Sequence, residues 1–257
     1  VTHRYHSNMV VAILAREHSD RYPRKHLHNV GGKPLIETMV KRILDIGAWP
    51  ILVTGPLNLN KKLVAATIGA GGDFYCEEQC PEWDIVTRFV NMSEALGVEY
   101  WIEQSGDCPF VDFSTAQKLW DHISTGLWDS VGVENPNAKA FAERALGAKH
   151  VSWYVKADEC LDIDDRHREQ AGSYCPKEIW KHKSVGRSRP VTQTPTKTSI
   201  DWPLEGALAD LIVRYLGRWP ESDDDIEKVY REVKKLRWED ENAVVDSDET
   251  NVTGGDL

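Results

Sequence analysis

Apolar residues along this chain fall into short continuous runs that alternate with stretches of helical period. Val10 to Leu14 is an unbroken apolar run, the signature of a strand buried on both faces. Leu35, Ile36, Met39, Val40, Ile43 and Leu44 recur at helical spacing and predict a helix over 34–46. Ile51 to Thr54 reads as a second strand, 59–68 as a weaker helix and Asp73 to Cys76 as a short strand. A helix over 82–96 follows, with Ile85, Val86, Phe89, Met92 and Leu96 on one face. The next strand is expected over 98–103 and the next helix near 114–124. Residues 127–200 are less regular, with strand-like pieces at 128–133, 150–156 and 197–200. Leu204, Leu208, Leu211, Ile212 and Tyr215 predict a further helix, and Ser222 with Asp223, Asp224 and Asp225 caps a last one bearing Ile226, Val229, Tyr230, Val233 and Leu236.

This alternation predicts an α/β fold: a mostly parallel, Rossmann-like sheet with helices on both faces and a small β-rich insertion over 127–200. A single domain is expected over 9–237. Residues 1–8 read as a leader, and the stretch 238–257 as a disordered tail with seven acidic residues and no basic one. In open parallel sheets ligands bind off the carboxyl ends of the strands. Two stretches stand at such ends, the loop after Leu14 and the turn Ser105-Gly106-Asp107-Cys108-Pro109.

With 257 residues and 41% apolar content the chain can bury a full core. The formal charge of −10 argues against nucleic acid as a partner, because phosphate backbones select basic surfaces. No apolar run reaches membrane-spanning length and nothing at the start reads as a signal, so no membrane partner and a cytoplasmic location are expected. Cys76, Cys80, Cys108, Cys160 and Cys175 show neither C-x-x-C spacing nor a matching His/Cys pair, which fits free thiols better than zinc.

Against that acidic background the loop after the first strand is strongly cationic, with Arg16, Arg21, Arg24 and Lys25, and a Gly31-Gly32-Lys33-Pro34 turn follows. Fixed cations and loop amides at a strand end suit a polyphosphate. The stretch Ala15-Arg16-Glu17-His18-Ser19-Asp20-Arg21-Tyr22-Pro23-Arg24-Lys25 reads A-R-x-x-S-x-R-x-P-x-K and is followed by G-G-K-P-L. It resembles the opening of the cytidylyltransferase superfamily that activates sugar acids, in particular its spore-coat polysaccharide type. Gly106-Asp107-Cys108-Pro109-Phe110-Val111-Asp112 resembles the G-D-C-P-L-I-D segment of that type, and Ile200-Asp201-Trp202-Pro203-Leu204-Glu205 more loosely its V-D-T-P-E-D-L segment.

The resemblance implies a nucleotide-diphospho-sugar transferase sheet, CTP as substrate and Mg²⁺ as cofactor, with pyrophosphate released and a CMP-activated sugar or sugar acid formed. By it, Arg16, Arg21 and Lys25 hold the triphosphate with Ala15 and Ser19 beside them, and Asp107 and Asp201 are the metal ligands. Arg16, Lys25 and Asp107 are then the catalytic set. Arg88, in a D-V-x-x-R-[FY]-like segment, and Gln104 are placed near the nucleotide. Arg166, Arg168, Glu169 and Tyr174, near an R-E-H-V-T-P-Y-like segment, are placed at the acceptor. Relatives of this type are often homodimers, so a homodimer is expected.

Each residue has a structural alternative. Asp107, Asp112 and Asp201 can cap helices, Arg88 and Arg168 can be structural ion-pair partners, and Asp162-Ile163-Asp164 is a turn rather than a metal motif. Three functional alternatives remain open: cytidylyl transfer to a phosphonate or polyol phosphate, a glycosyltransferase, and a catalytically silent nucleotide-binding protein. The general base is not visible in the sequence.

Overall fold

The computed structural model describes residues 8–19, 21–111, 113–133, 146–162, 168–169, 186–188, 203–220, 225–226, 228–229 and 231–232. Its strands in chain order are β1 (Val10–Leu14), β2 (Asn29–Val30), β3 (Lys33–Pro34), β4 (Trp49–Thr54), β5 (Asp73–Cys76), β6 (Tyr100–Ser105), β7 (Ser130–Val133), β8 (Gly147–His150) and β9 (Gly186–Ser188). Its helices are α1 (Leu35–Asp45), α2 (Leu57–Gly69), α3 (Ile85–Leu96), α4 (Ala116–Ile123), α5 (Val151–Cys160) and α6 (Pro203–Leu216).

Seven strands form one sheet in the order β5-β4-β1-β6-β8-β7-β9. β1 lies centrally, parallel to β4 and β6, and β5 extends the parallel set beyond β4. β8 runs antiparallel between β6 and β7, and β9 pairs parallel with β7. Thus the described strands of 127–200 extend the main sheet. Side chains alternate across it as a period of two requires. Val11, Ile13, Leu52 and Ile102 join α1, α2, α4 and α6 on one face. Val10, Ala12, Ile51, Val53 and Trp101 join α3 and α5 on the other.

The expected helices and parallel strands are found with small shifts. The helix expected from residue 82 starts at Ile85, because Asp84 caps it by accepting from the Thr87 N–H at 3.1 Å. One expectation is overturned. Residues 150–156 are not a strand: β8 ends at His150 and α5 begins at Val151. The run Val151-Ser152-Trp153-Tyr154-Val155 has strand-like composition, but Trp153 and Ala157 bury one turn apart, and the His150 ring caps the helix by accepting from the Ser152 N–H at 3.1 Å. The pieces expected at 197–200, residues 1–7 of the proposed leader and the acidic tail lie outside the described residues. Within them, Ile226 and Val229 of the last expected helix are helical and buried.

β2 and β3 form a small antiparallel hairpin through Gly31 and Gly32, whose φ values of 64° and 83° suit glycine. A Cβ on Gly31 would sit 2.6 Å from Val213 Cγ1, so the hairpin packs closely on α6. Among the described residues Cys76, Cys80, Cys108 and Cys160 are free thiols, and none of the described helices is long and apolar enough to cross a membrane.

Candidate active site

The chain leaves β1 at Leu14 and enters the cationic loop, which is pinned from outside. Glu17 is buried, and its carboxylate accepts from the backbone N–H of Lys62 at 3.1 Å and of Leu63 at 3.4 Å. Those amides are exposed to it because α2 kinks at Asn60 (φ −123°), which starts a new helical turn. Asn60 in turn accepts from the Glu17 N–H at 2.7 Å. The loop closes with Arg24 in the left-handed region (φ 58°), its N–H donating to the Glu17 carbonyl at 3.0 Å, and a short 3-10 turn over Lys25–Leu27 follows. That turn aims Lys25 and His26 inward.

The second loop comes from β6. The Gly106 N–H donates to the Leu14 carbonyl at 2.9 Å and so joins the two strand ends. A Cβ on Gly106 would lie 2.6 Å from Ala15 Cβ and 3.0 Å from both His26 Cδ2 and the Leu14 oxygen. The close approach therefore requires glycine. From behind, Arg42 of α1 holds the segment after Asp107, donating to the carbonyls of Pro109 at 2.7 Å and Val111 at 2.8 Å. Its guanidinium also lies 5.2 Å from the centre of the Phe113 ring and 5.6 Å from that of Trp219.

Between the loops lies a cavity of about 290 Å³. Its wall carries Ala15, Arg16, Ser19, Arg21, Lys25 and Arg88, three carboxylates (Glu82, Asp107, Glu169), and the apolar surfaces of Leu14, Trp83 and Ile85. Lys25 Nζ stands 2.5 Å from Asp107 Oδ2, and the Ser105 hydroxyl donates to Asp107 Oδ1. Burial alone would push the Asp107 carboxyl up, yet the Lys25 ammonium and the Ser105 hydroxyl hold it below the usual carboxylate range. The His26 Nδ1–H donates to the Arg16 carbonyl at 2.8 Å, and burial drives its pKa down to about 4 against the pull of Asp107. The imidazole is therefore neutral near pH 7.

Arg16 lies between two carboxylates, 4.0 Å from Glu82 and 3.8 Å from Glu169. Arg88 is buried; its Nη2 donates to the Glu82 carbonyl, while its Nε has no hydrogen-bond partner among the described residues. Burial lowers its pKa against the nearby Cys80 and Glu82.

The structure thus gathers Ala15, Arg16, Ser19, Arg21, Lys25, Arg88, Asp107 and Glu169 on one cavity. It does not bring Gln104 or Arg168 there. Gln104 is buried in β6 with neither amide atom hydrogen-bonded, away from the cavity wall. Arg168 is 2% exposed, and its guanidinium is committed elsewhere. It makes a two-pronged pair with Asp84 at 3.0 and 3.1 Å, and bonds Asp158 at 2.7 Å and Thr87 at 2.8 Å. Burial opposes that charge, but the two aspartates outweigh it and raise the pKa. This is the structural ion pair, and it fixes residues 168–169 against the start of α3. Asp112, Arg166, Tyr174 and Asp201 lie outside the described residues.

Sequence reading missed Glu17, Asn60, Glu82, His26 and Arg42. Only Glu17 and His26 had a local signal, Glu17 as a variable position inside the cationic stretch and His26 as the residue directly after it. Among the described residues no group of three or more His, Cys, Asp or Glu surrounds an ion site. Asp107 nonetheless fits Mg²⁺, which takes one or two carboxylates and draws its remaining ligands from phosphate and water.

Residues 10–168 match the profile of the cytidylyltransferase family. A 3-deoxy-manno-octulosonate cytidylyltransferase of Aeromonas hydrophila is 24% identical over 187 residues, covering 67% of this chain and 73% of that protein. One from Pseudoalteromonas atlantica is 26% identical over 119 residues, and the match spans 45% of each chain. Among solved structures, a cytidylyltransferase from Leptospira borgpetersenii superposes with a TM-score of 0.72 at 16% identity, covering 90% of this chain and 97% of that one. A CMP:2-keto-3-deoxy-manno-octonic acid synthetase complexed with CTP superposes with a TM-score of 0.57 at 16% identity, covering 81% of this chain and 100% of that one. With the family profile running from β1 through both cavity loops to Arg168, the chain belongs to the cytidylyltransferase family.

Proposed function

We propose that this chain transfers a cytidylyl group from CTP to an acidic sugar or sugar-like acceptor. The supporting observation is the convergence of Arg16, Lys25 and Asp107 on one cavity at the carboxyl ends of β1 and β6. The names of the two curated relatives support a sugar-acid acceptor.

An oxygen of the acceptor attacks the α-phosphorus in line, the bond from that phosphorus to the bridging oxygen breaks, and pyrophosphate leaves. Little covalent work falls to the protein; positioning and charge stabilisation carry the reaction. Arg16, Arg21 and Lys25 neutralise the phosphates, and Ser19 with the loop amides orients them. Arg88 brings a buried guanidinium to the same wall. His26 holds the Arg16 carbonyl and, being neutral, adds no charge that would compete for phosphate. Asp107, with Asp201 by resemblance, would hold Mg²⁺, whose chemistry when bound is to polarise phosphate oxygens and offset the charge building on pyrophosphate. Glu169 faces Arg16 from the acceptor side, and Arg168 places it there. An acceptor that arrives ionised requires no general base.

The test is pyrophosphate release with each of the four nucleoside triphosphates and Mg²⁺ against a panel of acidic sugars. Release with CTP that vanishes in Asp107→Ala is the expected result. Failure to bind any of the four nucleotides overturns the reading.

A further inference from the structure

Asp107 already has a cation on it. Lys25 Nζ lies 2.5 Å from its Oδ2, in direct hydrogen-bonded contact, and the two side chains are 9% and 22% exposed. The other carboxylate oxygen accepts from Ser105 Oγ and lies 3.6 Å from Cys108 Sγ. A divalent ion arriving alone would have to displace the ammonium and leave it in a pocket that also holds Arg16, Arg21 and Arg88, and whose other two carboxylates, Glu82 and Glu169, already face Arg16. Like charges in so confined a space repel strongly.

We propose that Lys25 is the resident cation of Asp107, so that a divalent ion enters this site only together with a nucleoside triphosphate. The triphosphate offers the ammonium new anionic oxygens, and Asp107 is released to the metal in the same event. The exchange conserves charge pairing: one ammonium–carboxylate contact becomes one ammonium–phosphate and one metal–carboxylate contact. When pyrophosphate leaves with the metal, Lys25 returns to Asp107. The metal's order of binding is thereby built into the apo ion pair. This inference rests on the cytidylyl-transfer reading of the site.

Mn²⁺ is the probe, followed by water-proton relaxation without acceptor. The wild-type chain alone is expected to show no stoichiometric Mn²⁺ site, and addition of CTP to give a ternary complex. Lys25→Met removes the ammonium and is expected to take up Mn²⁺ without nucleotide, tighter by on the order of ten- to a hundredfold, the worth of one charge-assisted hydrogen bond. Lys25→Met with Asp107→Asn loses that gain, and Lys25→Arg restores the exclusion. A one-to-one Mn²⁺ site in the nucleotide-free wild type overturns the inference, and this measurement decides even where Lys25→Met fails to fold. A folded Lys25→Met chain without gain overturns it as well. Failure of CTP to bind the wild type in the presence of Mn²⁺ would instead defeat the cytidylyl-transfer reading.

Discussion

One methyl group at Gly106 tests whether the two cavity loops are as tightly joined as the structure shows. The Cβ of Gly106→Ala would meet Ala15 Cβ at 2.6 Å and the Leu14 carbonyl oxygen at 3.0 Å, neither of which can rotate away. Its third neighbour, His26 Cδ2 at 3.0 Å, belongs to a ring tied to the Arg16 carbonyl. The backbone at Gly106 has an ordinary φ, so the whole effect comes from overlap, not conformational strain. Overpacking of this kind costs about 1–3 kcal/mol. For a domain of this size that corresponds to a melting temperature lower by about 2–12 °C. To relieve the overlap the β6 loop must back away from β1, carrying Asp107 from Lys25. A displacement of ~1 Å at a reacting centre costs about a hundredfold in turnover. The assay is a thermal melt paired with pyrophosphate release. Gly132→Ala in β7 is the control, because its Cβ would meet nothing within 4 Å among the described residues; it should melt with the wild type. A Gly106→Ala chain with wild-type melting and wild-type turnover would refute the argument that these loops are in enforced contact.

Two further outcomes follow from buried charge. Arg168→Met leaves Asp84, 1% exposed, without its cation, and breaking a buried pair in this way costs about 3–5 kcal/mol. Urea unfolding should show that loss while folded protein keeps its CTP affinity; unchanged stability with a raised acceptor KM would instead place Arg168 at the acceptor. His26 has an ordinary pKa of 6.5 when unfolded and about 4 when folded, so the unfolded chain takes up a proton that the native chain refuses. Its contribution is fully present above pH 6.5 and is lost as pH falls through about 4, at most about 3 kcal/mol. The stability gap between wild type and His26→Asn, measured in urea at pH 7 and pH 4, should narrow by that amount as pH falls; a gap independent of pH would show that the imidazole protonates freely in the fold.

How far the fold could be read from residues depended on whether the signal was local. β1, β4, α1 and α3 each carry their own period, and all four were placed to within a few residues. The strand-like run at 151–155 misled because its aromatic and β-branched composition suits a strand, whereas its helical identity rests on a cap from His150 and on packing of Tyr154 against Phe89 and Trp101. The same division holds at the site. The cations cluster in one segment and were legible. Their counter-charges arrive from the segment before α3, from the loop after β6 and from beyond α5, and the amide that anchors the loop comes from α2, so Asn60, Glu82 and the Asp84–Arg168 pair exist as a constellation only after folding. Of the neighbouring Arg168 and Glu169, both named from one motif, Glu169 lines the cavity while Arg168 turns to Asp84 and Asp158.

The degree to which each cation is already committed ranks what substrate can take from it. Arg168 is saturated by two aspartates, a threonine and a carbonyl, and has nothing left for a ligand. Lys25 holds Asp107 at 2.5 Å and can release it only against an equivalent anion. Arg16 keeps its two carboxylates at 3.8 and 4.0 Å, beyond hydrogen-bond length, and Arg88 retains a buried Nε without a partner among the described residues. A buried donor left unpaired costs free energy that a ligand oxygen can recover on binding. The same arrangement explains how a chain of net charge −10 can receive a polyanion. Glu82, Asp107 and Glu169 stand among the cations of the same cavity, Asp107 against Lys25 at 2.5 Å and Glu169 and Glu82 against Arg16 at 3.8 and 4.0 Å. On the proposed cytidylyl-transfer reading, a triphosphate engages the loosely held guanidinium groups before the ammonium, and the release of Asp107 is the last step of nucleotide docking rather than its precondition.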